Sequence, residues 1–211
     1  MIRLIVDPRT PQVDSLERAA EAIRRGEVVA IPTDTLYGIA ANPFSAAAVR
    51  RVFLAKGRAE QQALPLIAAD AEQVAQQIGL LPANAAVLAR TFWPGPLTLI
   101  VPAPSGLVRE VTAGTGTIGV RVPDHAVARE LCRVSATMLT ATSANISGQP
   151  PTSDPDAVVQ TLEGKVDLLL DAGRTAGGPP STVIDVTGDE VRLVRAGAVS
   201  WEDIERCLAE E

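Results

Sequence analysis

The stretch DSLERAAEAIRRGEVVAIPTDTLY, residues 14–37, reads as a helix, a stop, a buried strand and a polar loop. Asp14 and Glu17 stand at capping-box spacing and Gly26 at a helix C′ position, which predicts a helix over about residues 14–25. VVAI at 28–31 is a continuous apolar run of strand length, and Thr33, Asp34 and Thr35 follow it at once. Working outward, Ser45 caps a helix in SAAAVRRVFLAK with Val49, Val52 and Phe53 on one face, and Asp70 opens a helix to about residue 78. Another helix covers 83–92. Asp124 caps one through about Cys132, Ser153 or Asp154 starts a short one with Pro155 near its first position, and Ser200 caps the last. Strands are predicted at 64–68, 97–101, 118–122, 138–141, 166–170, 182–186 and 191–194, the last two forming a hairpin around Thr187-Gly188-Asp189. Strands and helices interleave without repeats or a linker, so one α/β domain over residues 1–211 with a mixed sheet is expected.

Composition narrows the function. With 211 residues, 46% hydrophobic and 21% charged, the chain can bury a sizeable core. Its net charge of −6 argues against a nucleic-acid coat or a binder of anionic membranes. No apolar run approaches the ~18 residues of a membrane span, and Arg3 and Asp7 bracket too short an apolar segment for a secretory signal. Cys132 and Cys207 are far apart and suggest neither a zinc site nor a disulfide scaffold, so a cytoplasmic protein is expected. His125 is the single histidine. A Ser-His-Asp hydrolase would have to be built on it without a G-x-S-x-G elbow, and no P-loop or G-x-G-x-x-G motif is present.

The chemistry lies in the loops at strand ends, where α/β proteins place ligands. Lys56-Gly57-Arg58 could turn two cations toward one polyphosphate; equally, Lys56 and Gly57 suit a helix C-terminus. Ser143-Ala144-Asn145 offers a hydroxyl and an amide on one side, or a plain polar turn. Thr33, Asp34 and Thr35 supply short polar groups, or cap a turn. Arg121, inside the apolar run IGVRV, either points outward or needs an anion such as a carboxylate. Arg195 has the same ambiguity.

Eight segments, in order, resemble the YrdC-like threonylcarbamoyl-AMP synthase family: PTDTLYGIAANPF (32–44), KGR (56–58), LPLIA (64–68), FWPGPLTLIV (92–101), IGVRVPDH (118–125), TSANISGQPPT (142–152), STVIDVT (181–187) and LVRAGA (193–198). The resemblance implies a single-domain fold of a twisted mixed β-sheet flanked by helices, with a concave ligand cleft, in the family's short form. It also implies a reaction, in which L-threonine, bicarbonate and ATP give threonylcarbamoyl-AMP and pyrophosphate for the threonylcarbamoyladenosine modification of tRNA. Such a reaction needs positioning and charge neutralisation more than a nucleophilic side chain, which suits a chain poor in His and Cys.

By the same resemblance, Lys56, Arg58, Ser143 and Asn145 are the catalytic set. Lys56 and Arg58 would neutralise the triphosphate, and Ser143 and Asn145 would orient carbamate and nucleotide. Thr35, the Ile67 backbone, Arg121, Ser143 and Ser181 would hold threonine, with Arg121 facing its carboxylate. Arg58, Gln62, Thr117, Asn145, Thr152 and Arg195 would contact ATP. Mg2+ is implied by the triphosphate and not by a protein ligand set, and a tRNA-modifying threonylcarbamoyl transferase complex is the implied partner. Three departures stand out: Gln62-Ala63 replaces Asn-Pro, Arg195-Ala196-Gly197 replaces Arg-Pro-Gly, and the loop after Gly148 is one residue short, which leaves Thr152 and Ser153 as alternatives. The competing expectation is a related paralogue that binds RNA or nucleotide without making the adenylate.

Overall fold

Gly26 ends the first helix, α1 (Val13–Arg24), in the left-handed conformation at φ +80°. Its N–H bonds to Ile23 O and that of Glu27 to Ala22 O, a Schellman closure that turns the chain into β2 (Val29–Ile31). The computed structural model describes residues 1–57 and 62–210. Along these, helices and strands interleave as expected: α2 (Ala46–Lys56), α3 (Ala71–Ile78), α4 (Ala83–Phe92), α5 (Arg109–Thr112), α6 (Ala126–Val134), α7 (Pro155–Leu162) and α8 (Trp201–Ala209) follow α1.

The strands divide between two mixed sheets. One has the order β1 (Ile2–Ile5), β9 (Leu168–Asp171), β2, β3 (Gly38–Ala40), β8 (Thr142–Ser143). The other has the order β11 (Arg192–Arg195), β10 (Thr182–Asp185), β5 (Leu97–Pro102), β6 (Thr117–Arg121), β4 (Leu66–Ile67), β7 (Leu139–Thr140). β2 explains the unbroken VVAI run, because it is buried on both faces. Ala30 joins the larger core with Val49 and Phe53 of α2 and Leu88 of α4, whereas Val29 and Ile31 join a second core under α1 and α6. Leu16 and Ile23 anchor α1 there, each contributing roughly 2 kcal/mol by burial.

The caps foreseen at Ser45, Asp70, Asp154 and Ser200 form, each accepting a backbone N–H from the first turn of its helix. Two do not. Gln12 occupies the N-cap of α1 without a side-chain bond, so Asp14 lies inside the first turn and Asp14–Glu17 is no capping box. His125, not Asp124, sits at the N-cap of α6, because Asp124 is turned to solvent. The edge strand β1, the short strands β3 and β8 and the one-turn helix α5 have no counterpart in the sequence reading.

The two sheets are joined through a very short connection. The chain leaves β7 in the second sheet and enters β8 in the first through Ala141 alone. Ala141 N–H bonds to Pro65 O at 2.8 Å, and Thr140 N–H to Ala41 O at 2.9 Å, so the crossing is tied on both sides.

Candidate active site

Register across the second sheet assembles one wall of a cleft. Arg195 pairs with Val183, Val183 with Thr98, and Arg121 with Ile67. One step beyond the Leu99–Val120 pair, Thr98 lies beside Arg121. Arg195, Val183, Thr98, Arg121 and Ile67 therefore form a row across five strands, and all five line a cavity of about 530 Å³. The opposite wall comes from the first sheet and its loops: Thr33, Thr35, Tyr37, Gly38, Thr142 and Ser143.

Arg121, 8% exposed, does not point outward. Its Nε donates to Gly95 O at 2.9 Å and its Nη2 to Asp34 Oδ1. Burial draws its pKa below the ordinary arginine value, and Asp34 opposes the shift. Arg195 donates through Nη2 to Ser181 O at 2.7 Å and to Ser181 Oγ at 3.1 Å. Burial, then the charge of Arg121, lowers its pKa as well. Two guanidiniums that repel each other, with Asp34 on only one of them, leave a cationic surplus that an anion would relieve.

The Thr33–Thr35 segment does both jobs left open by its sequence. Thr33 Oγ1 donates to Leu36 O at 2.7 Å and caps the turn, while Thr35 lines the cleft. Gly177 N–H and Thr175 Oγ1 both donate to Thr35 O, at 2.8 and 2.9 Å. Tyr37, fully buried, donates to Gly173 O at 2.7 Å and accepts from Ala172 N–H at 3.2 Å. The loop after β9 thus fixes the polar turn after β2.

Lys56 is the last residue of α2, with Gly57 left-handed at φ +58°, so the helix-terminus reading holds for this pair. The ammonium is 3% exposed as part of its residue and is turned inward. It donates to Ser143 O at 2.6 Å, Asn145 Oδ1 at 3.0 Å and Asn145 O at 3.1 Å, with Ser143 Oγ at 3.4 Å. Ser143 Oγ also donates to Asn145 Oδ1, at 2.5 Å. Ser143 lines the cleft. Asn145, 7% exposed, sits behind that wall, its Nδ2 held by Ile146 O and Gln149 O, because a buried turn must satisfy its own carbonyls.

The remaining candidates are spread along the rim. Thr117 shares the cleft face of β6 with Gly119 and Arg121, and Pro151, next to Thr152, lines the cavity. Thr152 Oγ1 accepts Asp154 N–H at 3.0 Å. Gln62 is exposed beside Ala63, which lines the cavity. Arg58 lies outside the described residues. Two participants were missed by sequence reasoning: Asp34 as the partner of Arg121, and Thr98 in the floor. Burial lowers the pKa of His125 while the charges of Asp34 and Asp124 oppose the shift, and its buried Nδ1 has no hydrogen-bond partner among the described residues. Among the described residues no cluster of three or more His, Cys, Asp or Glu could hold a metal ion. Among them, too, no helix is long and apolar enough to cross a membrane.

Residues 21–197 match the family model Sua5_yciO_yrdC, described as telomere recombination. The chain belongs to the Sua5/YciO/YrdC family. Within it, the threonylcarbamoyl-AMP synthase of Pyrococcus abyssi is 41% identical over 192 residues, 91% of this chain and 56% of that protein. That of Bacillus subtilis is 38% identical over 205 residues, 97% of this chain and 59% of that protein. The crystal structure of P. abyssi Sua5 complexed with L-threonine superposes with a TM-score of 0.93 at 38% identity, covering 100% of this chain and 62% of that one. The chain thus spans about three fifths of the length of these family members. The mixed α/β architecture expected from the sequence is the family's own.

Proposed function

We propose that the chain is an L-threonylcarbamoyladenylate synthase, one domain that joins L-threonine, bicarbonate and ATP into threonylcarbamoyl-AMP with release of pyrophosphate. The observation that carries the reading is the pair Arg121 and Arg195 on one cleft floor, with the Asp34 carboxylate on Arg121 and none, among the described residues, on Arg195. Such a floor suits a substrate carboxylate on one side and a phosphate on the other. Family membership and the synthase names of the relatives support the same activity.

In this mechanism Arg121 holds the threonine carboxylate, while Thr35, Ser143, Ser181 and the Ile67 backbone confine the rest of the amino acid. The free amine captures CO2 with loss of a proton, or condenses with bicarbonate with loss of water, and becomes a carbamate. A carbamate oxygen then attacks the α-phosphorus, and the bond to pyrophosphate breaks. No side chain need become covalently attached, so catalysis is alignment plus stabilisation of charge growing on the phosphate. Arg195, Thr117, Thr152, Gln62 and Asn145 serve the nucleotide in this reading, and Arg58 the triphosphate. Lys56 acts first by holding the turn that presents Ser143; its charge lies next to the Ser143 hydroxyl and so also biases that corner toward anions. Mg2+ enters with the nucleotide, as part of the MgATP substrate. The product is an activated carbamoyl donor, so a tRNA-modifying transferase complex is the proposed consumer and the cytoplasm the proposed setting.

The reading is tested by pyrophosphate release from ATP. It should require both L-threonine and bicarbonate, and release indifferent to threonine rejects it.

A further inference from the structure

Thr98, between the two arginines of the floor, has no part in the mechanism so far. It is 5% exposed, lines the cleft, and meets Ser181 Oγ at 2.9 Å. Arg195 Nη2 donates to that same serine oxygen at 3.1 Å. Two hydroxyls carry two hydrogens, and only one is used between them; Arg195 brings its own. One O–H and spare lone pairs therefore remain on the Thr98–Ser181 pair, without a partner among the described residues.

The other flank of Arg121 is apolar. Ile67 pairs with Arg121, and Pro65 lines the cavity beside it. Gly119, two residues before Arg121 on the same face, keeps the floor open between the flanks: a Cβ there would stand 3.1 Å from the Thr98 methyl and 3.5 Å from Pro65 Cβ. Neighbouring strands lie about 4.8 Å apart. An amino acid whose carboxylate sits on Arg121 therefore carries its β-carbon between a hydroxyl pair on one side and hydrocarbon on the other.

The geometry points to Thr98 as a specificity-determining residue: with Ser181 it receives the β-hydroxyl of the amino-acid substrate, while Pro65 and Ile67 receive the β-methyl. This rests on the reading of the cleft as a threonine site. Valine would put a methyl against the hydroxyl pair and leave it unsatisfied, L-allo-threonine would exchange the two groups, and serine would leave the apolar flank unfilled.

The test is pyrophosphate release by the full chain with ATP, bicarbonate and, in turn, L-threonine, L-allo-threonine, L-valine and L-serine. Wild type, Thr98→Val, Thr98→Ser and Ser181→Ala are compared. Thr98→Val keeps a β-branched side chain of the same shape in β5. It is expected to narrow the threonine-to-valine ratio of kcat/KM by roughly ten- to a hundredfold. Thr98→Ser should keep the wild-type ratio, and Ser181→Ala should narrow it even if Thr98→Val fails to fold. A wild-type ratio in Thr98→Val, or in Ser181→Ala should that variant alone fold, overturns the inference. So does an equal loss in Thr98→Val and Thr98→Ser for every amino acid. If wild type prefers threonine and the variants keep that preference, only this inference falls; if wild type shows no threonine dependence, the proposed function falls and takes the inference with it.

Discussion

Replacing Lys56 with methionine asks whether a buried ammonium holds the turn that presents Ser143. Methionine keeps an unbranched apolar stem of similar length, so the change isolates the charge. Three of the acceptors of Lys56 lie between 2.6 and 3.1 Å. Removing one partner of a buried charged contact costs about 3–5 kcal/mol. The loss expected here is about 3–4 kcal/mol, since Ser143 O keeps the Asn145 N–H while Asn145 O loses its ammonium donor. For a chain of this length each kcal/mol shifts the melting temperature by about 2–4 °C, so a fall of roughly 10 °C is expected. Thermal unfolding followed by circular dichroism measures it, with urea denaturation as a second reading. Turnover is expected to be lost under either role of Lys56, so stability is the discriminating quantity. A melting temperature within about 2 °C of wild type would refute the argument and return Lys56 to a purely ligand-facing role.

Other contacts carry their own expected outcomes. Asp34→Asn keeps the shape beside Arg121 but removes the charge that orients it; KM for threonine should rise about tenfold with kcat little changed, and an unaltered KM would show that Asp34 does not orient the guanidinium. Gly197→Ala places a Cβ 2.5 Å from Ser181 C and closer still to Pro180 O, so the backbone leading into β10 must move. Urea denaturation should show a loss of about 2–4 kcal/mol, and a wild-type midpoint would contradict this packing. The Gln73 N–H, then Arg133, hold the Asp70 carboxyl below its ordinary pKa. A lowered folded-state value means that its stabilisation is present above the ordinary carboxylate range and is lost as pH falls through the lowered value. Asp70→Asn, which still caps α3, should flatten the acid limb of melting temperature against pH, and an unchanged limb would rule Asp70 out as a source of acid sensitivity.

How much of this was legible in the sequence depended on distance along the chain. Ser45, Asp70, Asp154 and Ser200 each bond within their own first turn, so type and spacing sufficed to find them. β1 alternates a cation with apolar residues at an exposed sheet edge, and β8 is the dipeptide Thr142–Ser143; neither carries enough pattern to be recognised. The division into two sheets is a matter of register between remote strands. The same holds for the row from Arg195 to Ile67, whose members are adjacent only after folding. Roles came from resemblance, yet the geometry changed their content: Lys56 and Asn145 face each other behind the wall. Thr98 was hidden because a lone threonine in LTLIV looks like an ordinary β-branched strand residue.

The passage through Ala141 limits how this protein can handle a ligand. With only that residue between strands of different sheets, and bonds anchoring the junction to Pro65 and Ala41, the two walls are stitched together at this corner. Any displacement of one wall against the other has to strain that seam, so a substitution there is felt on both sides of the cleft at once.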